Sequence, residues 1–288
     1  MKVGLSSYSL SRLIQSKGMD ILDAIQWIAD QGGEHVEITP FGFDLHGEDG
    51  LAESIREKAE QTGIEISNYA VGGNFITVRQ EDYDKELERL IRDVDIAGRL
   101  GVKLMRHDVA FRDWKDCTLT QLEADMEKLV YACRTVADYA APLGIVTSVE
   151  NHGYYIQGSD RVQRLIDAVD RPNFKLTMDI GNYLCTDEDS AAAVQKNISN
   201  ASMIHAKDFY IRPSNQDPGE GWFRSFGGSY LRGAIVGQGD IDIRGVLRTI
   251  KQSGYDGFIS IEFEGMEDCL LGSRIGMDNV RRIWSELP

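Results

Sequence analysis

The chain has 288 residues, 42% hydrophobic and 27% charged, with 29 glycines and only 6 prolines; this is enough to bury a sizeable core and excludes a disordered, fibrous or low-complexity chain. With 46 acidic against 31 basic residues the net charge is −15, a field that repels phosphate backbones, so no nucleic-acid partner is expected and a small neutral substrate is. No apolar run approaches the roughly 18 residues that cross a bilayer, and the start MKVGLSSYSLSRLIQ lacks the long hydrophobic centre of a secretory leader, so a cytoplasmic protein with no membrane partner is expected.

Strand and helix patterns alternate along the whole chain. Val3–Tyr8 reads as the first strand, and the helical pattern at 19–31 shows Leu22, Ile25, Ile28 and Ala29 at three- and four-residue spacing. His35–Ile38 then precedes a helix at 48–62, Ile64–Tyr69 one at 83–100, Val102–His107 one at 120–143, and Ile145–Glu150 one at 159–169. Phe174–Asp179 precedes 190–197, Ser202–Ala206 precedes 242–253, and Phe258–Phe263 precedes 273–286. Gly32, Gly63, Gly101, Gly144 and Gly254 follow five of these helices and read as C-caps. Runs such as IVTSV and FISI suit parallel strands covered on both faces.

Eight such units close most simply as a single (β/α)8 barrel over residues 1–288, of α/β class, with an open doubly wound sheet as the alternative. No Pro- or Ser-rich linker divides it. Three strand-to-helix connections, Ala70–Asp82, Asp108–Leu119 and Asp208–Ile241, are long enough to be functional. In the last, Trp222, Phe223 and Phe226 of WFRSFGG either close over a ligand, contact another subunit or pack on the loop itself. Cys117, Cys133, Cys185 and Cys269 form no C-x-x-C pair and read as reduced thiols.

Four consecutive strands end in a potential ligand: Glu150, Asp179, His205 and Glu262. A parallel barrel gathers its strand ends around one axis, and three carboxylates meeting there repel one another unless a cation joins them. Oxygen ligands with one imidazole suit Mn²⁺, the expected ion, with Mg²⁺, Co²⁺ or Zn²⁺ as alternatives. Such an ion would stabilise the enediolate left when a carbon beside a carbonyl loses its proton, with Glu150 and Glu262 as the catalytic carboxylates. His152, Asn182, Lys207, Arg212, Arg106 and Glu37 are the candidate substrate-binding or orienting residues, and Glu264 is the rival to Glu262. His46 and His107 read as structural.

The segments VENHG, MDIGN, HAKD, GQGDID and YDGFISIEFEG resemble the xylose isomerase-like barrel superfamily, in particular its sugar phosphate isomerase/epimerase branch with ketose 3-epimerases and inosose enzymes. The resemblance implies a Glu-Asp-His-Glu metal set at Glu150, Asp179, His205 and Glu262, with Glu150 and Glu262 catalytic. Many ketose epimerases carry a histidine three residues after the aspartate, where this chain has Asn182. A metal-dependent sugar isomerase or epimerase is therefore expected, with a lyase on the same platform (inosose dehydratase or 3-keto-glycoside eliminase) as the alternative. An apurinic-site endonuclease is disfavoured by five histidines and the charge of −15, and a non-catalytic sugar-binding barrel is the remaining class. The expected partners are an unphosphorylated small carbohydrate and, in a homo-oligomer, further copies of the chain.

Overall fold

The structure, a computed structural model, describes residues 1–288. Its strands are β1 (Lys2–Ser6), β2 (His35–Ile38), β3 (Glu65–Val71), β4 (Leu104–His107), β5 (Val146–Glu150), β6 (Phe174–Asp179), β7 (Ala201–Ala206), β8 (Asp208–Arg212), β9 (Phe223–Arg224), β10 (Tyr230–Ala234) and β11 (Phe258–Ile261). The helices are α1 (Ser11–Gln15), α2 (Ile21–Asp30), α3 (Leu51–Thr62), α4 (Gln80–Leu100), α5 (Leu119–Ala140), α6 (Ser159–Val169), α7 (Ser190–Asn197), α8 (Ile243–Gln252) and α9 (Cys269–Glu286). Eight parallel strands close a barrel in the order β1-β11-β7-β6-β5-β4-β3-β2, so the fold is the expected α/β barrel.

Strand alternation sorts the side chains into two environments. Leu5, Val36, Tyr69, Met105, Val149, Leu176, Ile204 and Ile259 join one apolar cluster of 69 buried residues with helix residues such as Val94, Leu129 and Val162. Each such side chain contributes roughly 1.5–3 kcal/mol by leaving water. The alternate positions face the axis and are polar: Asn68 donates to Glu37 at 3.2 Å and Ser148 shares a hydrogen bond with Thr177 at 2.8 Å. The lumen is thus a hydrogen-bonded column, and the apolar core lies outside it. At β1 the closure is tight: a Cβ on Gly4 would fall 2.0 Å from the His35 carbonyl oxygen, so only glycine fits.

All five expected helix-end glycines adopt positive φ, between +68° and +79°. Other expectations shift. The first strand stops at Ser6, and Ser7–Leu10 turns as a 3-10 helix into α1, because Ser7 and Ser9 side chains bond to the Thr39 and Ile261 carbonyls rather than leaving the chain extended. Helix α9 starts at Cys269, four residues earlier than its apolar pattern indicates, where the Asp268 side chain caps Leu271 N–H at 2.9 Å. Helix α3 starts only at Leu51, which leaves 39–50 as a connecting segment. The long connection after β7 is not simply a loop: β8, β10 and β9 form a separate antiparallel sheet in that order. No helix is long and apolar enough to cross a membrane.

Candidate metal centre and its cavity

Glu150 closes β5, Asp179 closes β6, His205 is the penultimate residue of β7, and Glu262 follows β11. Register places Asp179 beside His205 and His205 beside Ser260. One ligand atom from each of the four lies within 4.8 Å of the others, and all four residues are buried. The surrounding cavity, of about 390 Å³, opens at the carboxyl ends of the strands and includes Glu150, His205, Lys207 and Glu262 in its wall.

Each of these four side chains has neighbours that fix it in place. Glu37 sits 2.8 Å from His205 Nε2, which directs Nδ1 to within 3.6 Å of Glu150 and 3.7 Å of Glu262. Asp179 Oδ1 accepts Gly181 and Asn182 N–H groups at 2.7 and 2.9 Å, while Asn151 bonds both backbone groups of Asp179 at 2.8 Å. Arg106 pairs with Glu150 and with Asp108, each at 2.8 Å. Lys207 Nζ lies 3.1 Å from Asp179, 2.5 Å from Glu262 and 3.5 Å from Glu264. Asn182 donates to Glu150 at 3.0 Å and accepts from Lys207 at 3.3 Å, so it links the two sides of the cluster.

Burial opposes the charge of Glu150, but Arg106 and His205 overcome it and hold its carboxyl well below the usual range. Glu262 is likewise lowered, burial being outweighed by Lys207 and His205. Asp179 is pushed up to about 7, chiefly by burial and, against the pull of Lys207, by Glu262 and Glu150. Burial disfavours charge on His205 and Lys207, yet the surrounding carboxylates raise both well above their ordinary values. Organic cations therefore already offset part of the acidic charge, which the bare strand-end pattern does not reveal.

The residues nevertheless fit a divalent ion. His205 Nδ1 is buried without a hydrogen-bond partner, and it belongs to the cluster whose ligand atoms converge, in which Asp179 Oδ2 meets only the Lys207 ammonium at 3.1 Å. Three carboxylates and one imidazole, the imidazole oriented through its other nitrogen by a carboxylate, form a donor set of the kind that binds Mn²⁺, Mg²⁺, Co²⁺ or Zn²⁺. Binding would displace the proton that the carboxylates favour on His205.

Of the remaining expected residues, Glu37, Arg106, Asn182 and Lys207 contact the cluster directly. His152 stands at the cavity rim, 3.3 Å from Asp108 and half exposed. Arg212 lies outside the cavity wall: it ends β8, pairs with Asp240 at 3.6 Å and stacks on Trp222. The β8–β10 hairpin carries it outward. The aromatic loop also stays outside the cavity wall: Phe223 packs on Phe209 and Phe226 on Trp114, with ring centroids 5.6 and 6.4 Å apart. Glu264 keeps only the outer contact with Lys207 and lies outside the four-residue cluster.

Sequence reasoning did not place Tyr8, Asp108 or the side formed by 39–50 in the cavity wall, where His46 lies while also meeting Asp93 at 2.8 Å. Asp108 directly follows the fourth strand's Arg106-His107 pair, a signal parallel to those at the later strand ends. His46 had no comparable signal.

The family described as Xylose isomerase-like TIM barrel matches residues 25–283. The inosose dehydratase of Bacillus velezensis is 24% identical over 218 residues, covering 70% of this chain and 71% of that one. The chain spans about half the length of other inosose dehydratases that it matches. Among solved structures, D-psicose 3-epimerase from Clostridium cellulolyticum H10 superposes with a TM-score of 0.76 at 16% identity, over 99% of each chain. A xylose isomerase-like TIM barrel protein from Mycobacterium smegmatis in complex with magnesium gives 0.71 at 19% identity, over 93% of this chain and 89% of that one.

Proposed function

The chain belongs to the xylose isomerase-like TIM barrel family, and we propose that it is a divalent-metal-dependent sugar isomerase or epimerase acting on a small ketose or keto-polyol through an enediolate. The observation that carries this reading is the convergence of Glu150, Asp179, His205 and Glu262 within 4.8 Å in the wall of an open cavity. A divalent ion held there, Mn²⁺ by preference, would polarise the substrate carbonyl and balance the charge that develops on its oxygen.

The protein's own groups supply the proton chemistry. Glu150 and Glu262 come from strand positions separated around the barrel by β6 and β7, so they approach a flat ligand from two sides. Both are held in the ionised form that accepts a proton. Arg106 beside Glu150 and Lys207 beside Glu262 give them separate cationic partners, and Asn182 bonds both Glu150 and Lys207. Removal by one carboxylate and return by the other inverts a carbon; a single carboxylate returning the proton to the adjacent carbon interconverts aldose and ketose. The substrate in this reading is an unphosphorylated carbohydrate, and the assembly a homo-oligomer.

The lyase reading has specific support in the inosose dehydratase names of the curated relatives. Lys207 and the half-exposed His152 would then protonate a departing hydroxyl beta to the carbanion. Incubating the metal-loaded protein in D₂O with ketoses, inososes and 3-keto glycosides, followed by NMR, tests both. Deuterium gained with mass otherwise conserved supports epimerisation or isomerisation; loss of water or an aglycone supports the lyase; no exchange with any of them rejects the shared chemistry.

A further inference from the structure

Lys207 brings an ammonium into the barrel mouth on a stem that is packed in place. The residue is 3% exposed. A Cβ on Gly181 would fall 2.9 Å from Lys207 Cβ and 3.0 Å from its Cγ. Gly181 has φ −82° and ψ −36°, a conformation open to any L-residue, so the close approach of the lysine stem, not backbone freedom, accounts for the glycine in MDIGN. The stem is therefore held near the backbone, and movement is left to the outer methylenes and the ammonium.

What the ammonium meets divides into two sets. Inward, Nζ lies 3.1 Å from Asp179 Oδ2 and 2.5 Å from Glu262 Oε2, and it donates to Asn182 Oδ1 at 3.3 Å. Outward, it lies 3.5 Å from Glu264 Oε1. Glu264 is 32% exposed in the cavity wall, outside the four converging ligands. The inward contacts fall on atoms that an ion needs. Asp179 Oδ1 already accepts the Gly181 and Asn182 N–H groups, which leaves Oδ2 to serve a metal, and Oδ2 is the oxygen that Lys207 faces. An ammonium and a divalent ion drawn to the same oxygens repel each other, and in a buried site salt screens them little.

Arg106 shows the contrasting, fixed arrangement. It also joins a cluster carboxylate to one outside the cluster, Glu150 and Asp108, at 2.8 Å each. Its planar guanidinium spans both at once while Nη1 donates to the Val71 carbonyl at 3.1 Å. Lysine carries a single point charge on a flexible stem, so its balance between the inner oxygens and Glu264 follows the charge in the cluster.

We propose that Glu264 is a positioning residue for the metal centre: as the cluster takes up a divalent ion, Lys207 swings off Asp179 Oδ2 and Glu262 onto Glu264, and this exchange sets how tightly the ion is held. The inference rests on the reading of Glu150, Asp179, His205 and Glu262 as metal ligands. No proton is transferred; the ammonium carries its charge from one carboxylate to another.

Calorimetric titration of Mn²⁺ into the unaltered protein, Glu264→Gln, Lys207→Met and the double variant tests this. Glu264→Gln, which leaves the ammonium no outer carboxylate, is expected to weaken Mn²⁺ binding about tenfold, the effect of one charge-assisted hydrogen bond. In the Lys207→Met background, with no ammonium to move, the same substitution is expected to change Kd by less than about twofold. An equal loss in both backgrounds, as a carboxylate acting only through the general field would give, or no loss in either, overturns the proposal. A metal-loaded crystal structure of the unaltered protein reads the movement without any substitution, and so decides the matter even when Lys207→Met does not fold. Nζ closer to Glu264 than to Asp179 supports the exchange; Nζ still on Asp179 Oδ2 and Glu262 beside the ion overturns it. Failure of Mn²⁺ to bind the unaltered protein rejects the metal centre and the exchange together, whereas Mn²⁺ bound with Lys207 unmoved rejects the exchange alone.

Discussion

His205 has one nitrogen committed and one unpartnered: Nε2 meets Glu37, while Nδ1 faces Glu150 and Glu262 without a hydrogen bond. The carboxylate fixes both ring orientation and tautomer, so Glu37→Gln is expected to weaken Mn²⁺ binding about 10–100-fold, measured by calorimetry, while leaving the fold intact. Unchanged affinity would make Glu37 merely a lumen hydrogen-bonder. His107 is the contrasting case. It is buried between Phe75 and Phe174, and burial lowers its pKa to about 4, with the Asp108 backbone contact only partly opposing this. The folded protein therefore keeps His107 neutral where the unfolded chain, titrating near 6.5, takes up a proton. Its contribution is present above about pH 6.5 and is lost as pH falls toward 4, amounting to about 2 kcal/mol between pH 7 and 5. His107→Asn should reduce the pH 7-to-5 difference in urea-derived stability by about that amount; an unchanged difference would show that another group dominates. The burial of His107 agrees with its reading as structural, whereas the position of Arg212 outside the cavity wall was not legible, because charge and sequence proximity do not reveal on which side of a hairpin a residue lies.

The segments HAKD and GQGDID, some 30 residues apart in sequence, form one device that sets where the β8–β10 sheet leaves the barrel and returns to it. Asp208 is 1% exposed and accepts backbone N–H groups from Phe209, Gly237 and Gly239 at 2.9 Å and from Ile241 at 3.3 Å. A Cβ on Gly239 would stand 2.3 Å from Asp208 Oδ1, and Asp242 immediately afterwards caps α8. Gly239→Ala should therefore cost about 1–3 kcal/mol and increase proteolysis within 208–241, because the carboxylate loses contacts that it cannot replace while buried. Equal stability and equal cleavage would show that the return turn shifts without loss. The eight barrel strands were legible because short runs rich in β-branched residues alternate regularly with amphipathic helices, five of which end in a glycine cap. The β8–β10 sheet was not: β9 has two residues, too few for a period, and the sheet is assembled by an antiparallel return across a glycine-rich stretch broken by Pro213 and Pro218. Nor was 39–50 recognisable as cavity wall, since its relation to α4 arises from packing between elements distant in sequence.

At the scale of the whole molecule, the surplus of acid is concentrated in the barrel mouth. Glu37, Asp108, Glu150, Asp179, Glu262 and Glu264 face Arg106, Lys207 and His205, leaving a site whose charge favours an added cation even after its internal pairs are formed. The convergence of the four strand ends was legible because barrel topology alone brings them together; the lysine and arginine that already moderate their repulsion became apparent only from distances. A ligand that binds the folded chain but not the unfolded one stabilises by about 2.7 kcal/mol at a concentration 100 times its Kd. Saturating Mn²⁺ should accordingly raise the Tm by about 5 °C or more over the EDTA-treated protein, given roughly 2–4 °C per kcal/mol for a domain of this order. Asp179→Asn should remove most of that rise, since the ligand cluster loses a charged oxygen. Coincident Tm values with and without the ion would reject the metal centre. The same measurement makes the proposed roles of two carboxylates testable: Glu150→Gln and Glu262→Gln are each expected to slow exchange at least about 10²-fold, but only variants that retain a metal-dependent Tm separate loss of a base from loss of the ion. Near-normal exchange in such metal-retaining variants would show that neither carboxylate carries the proton.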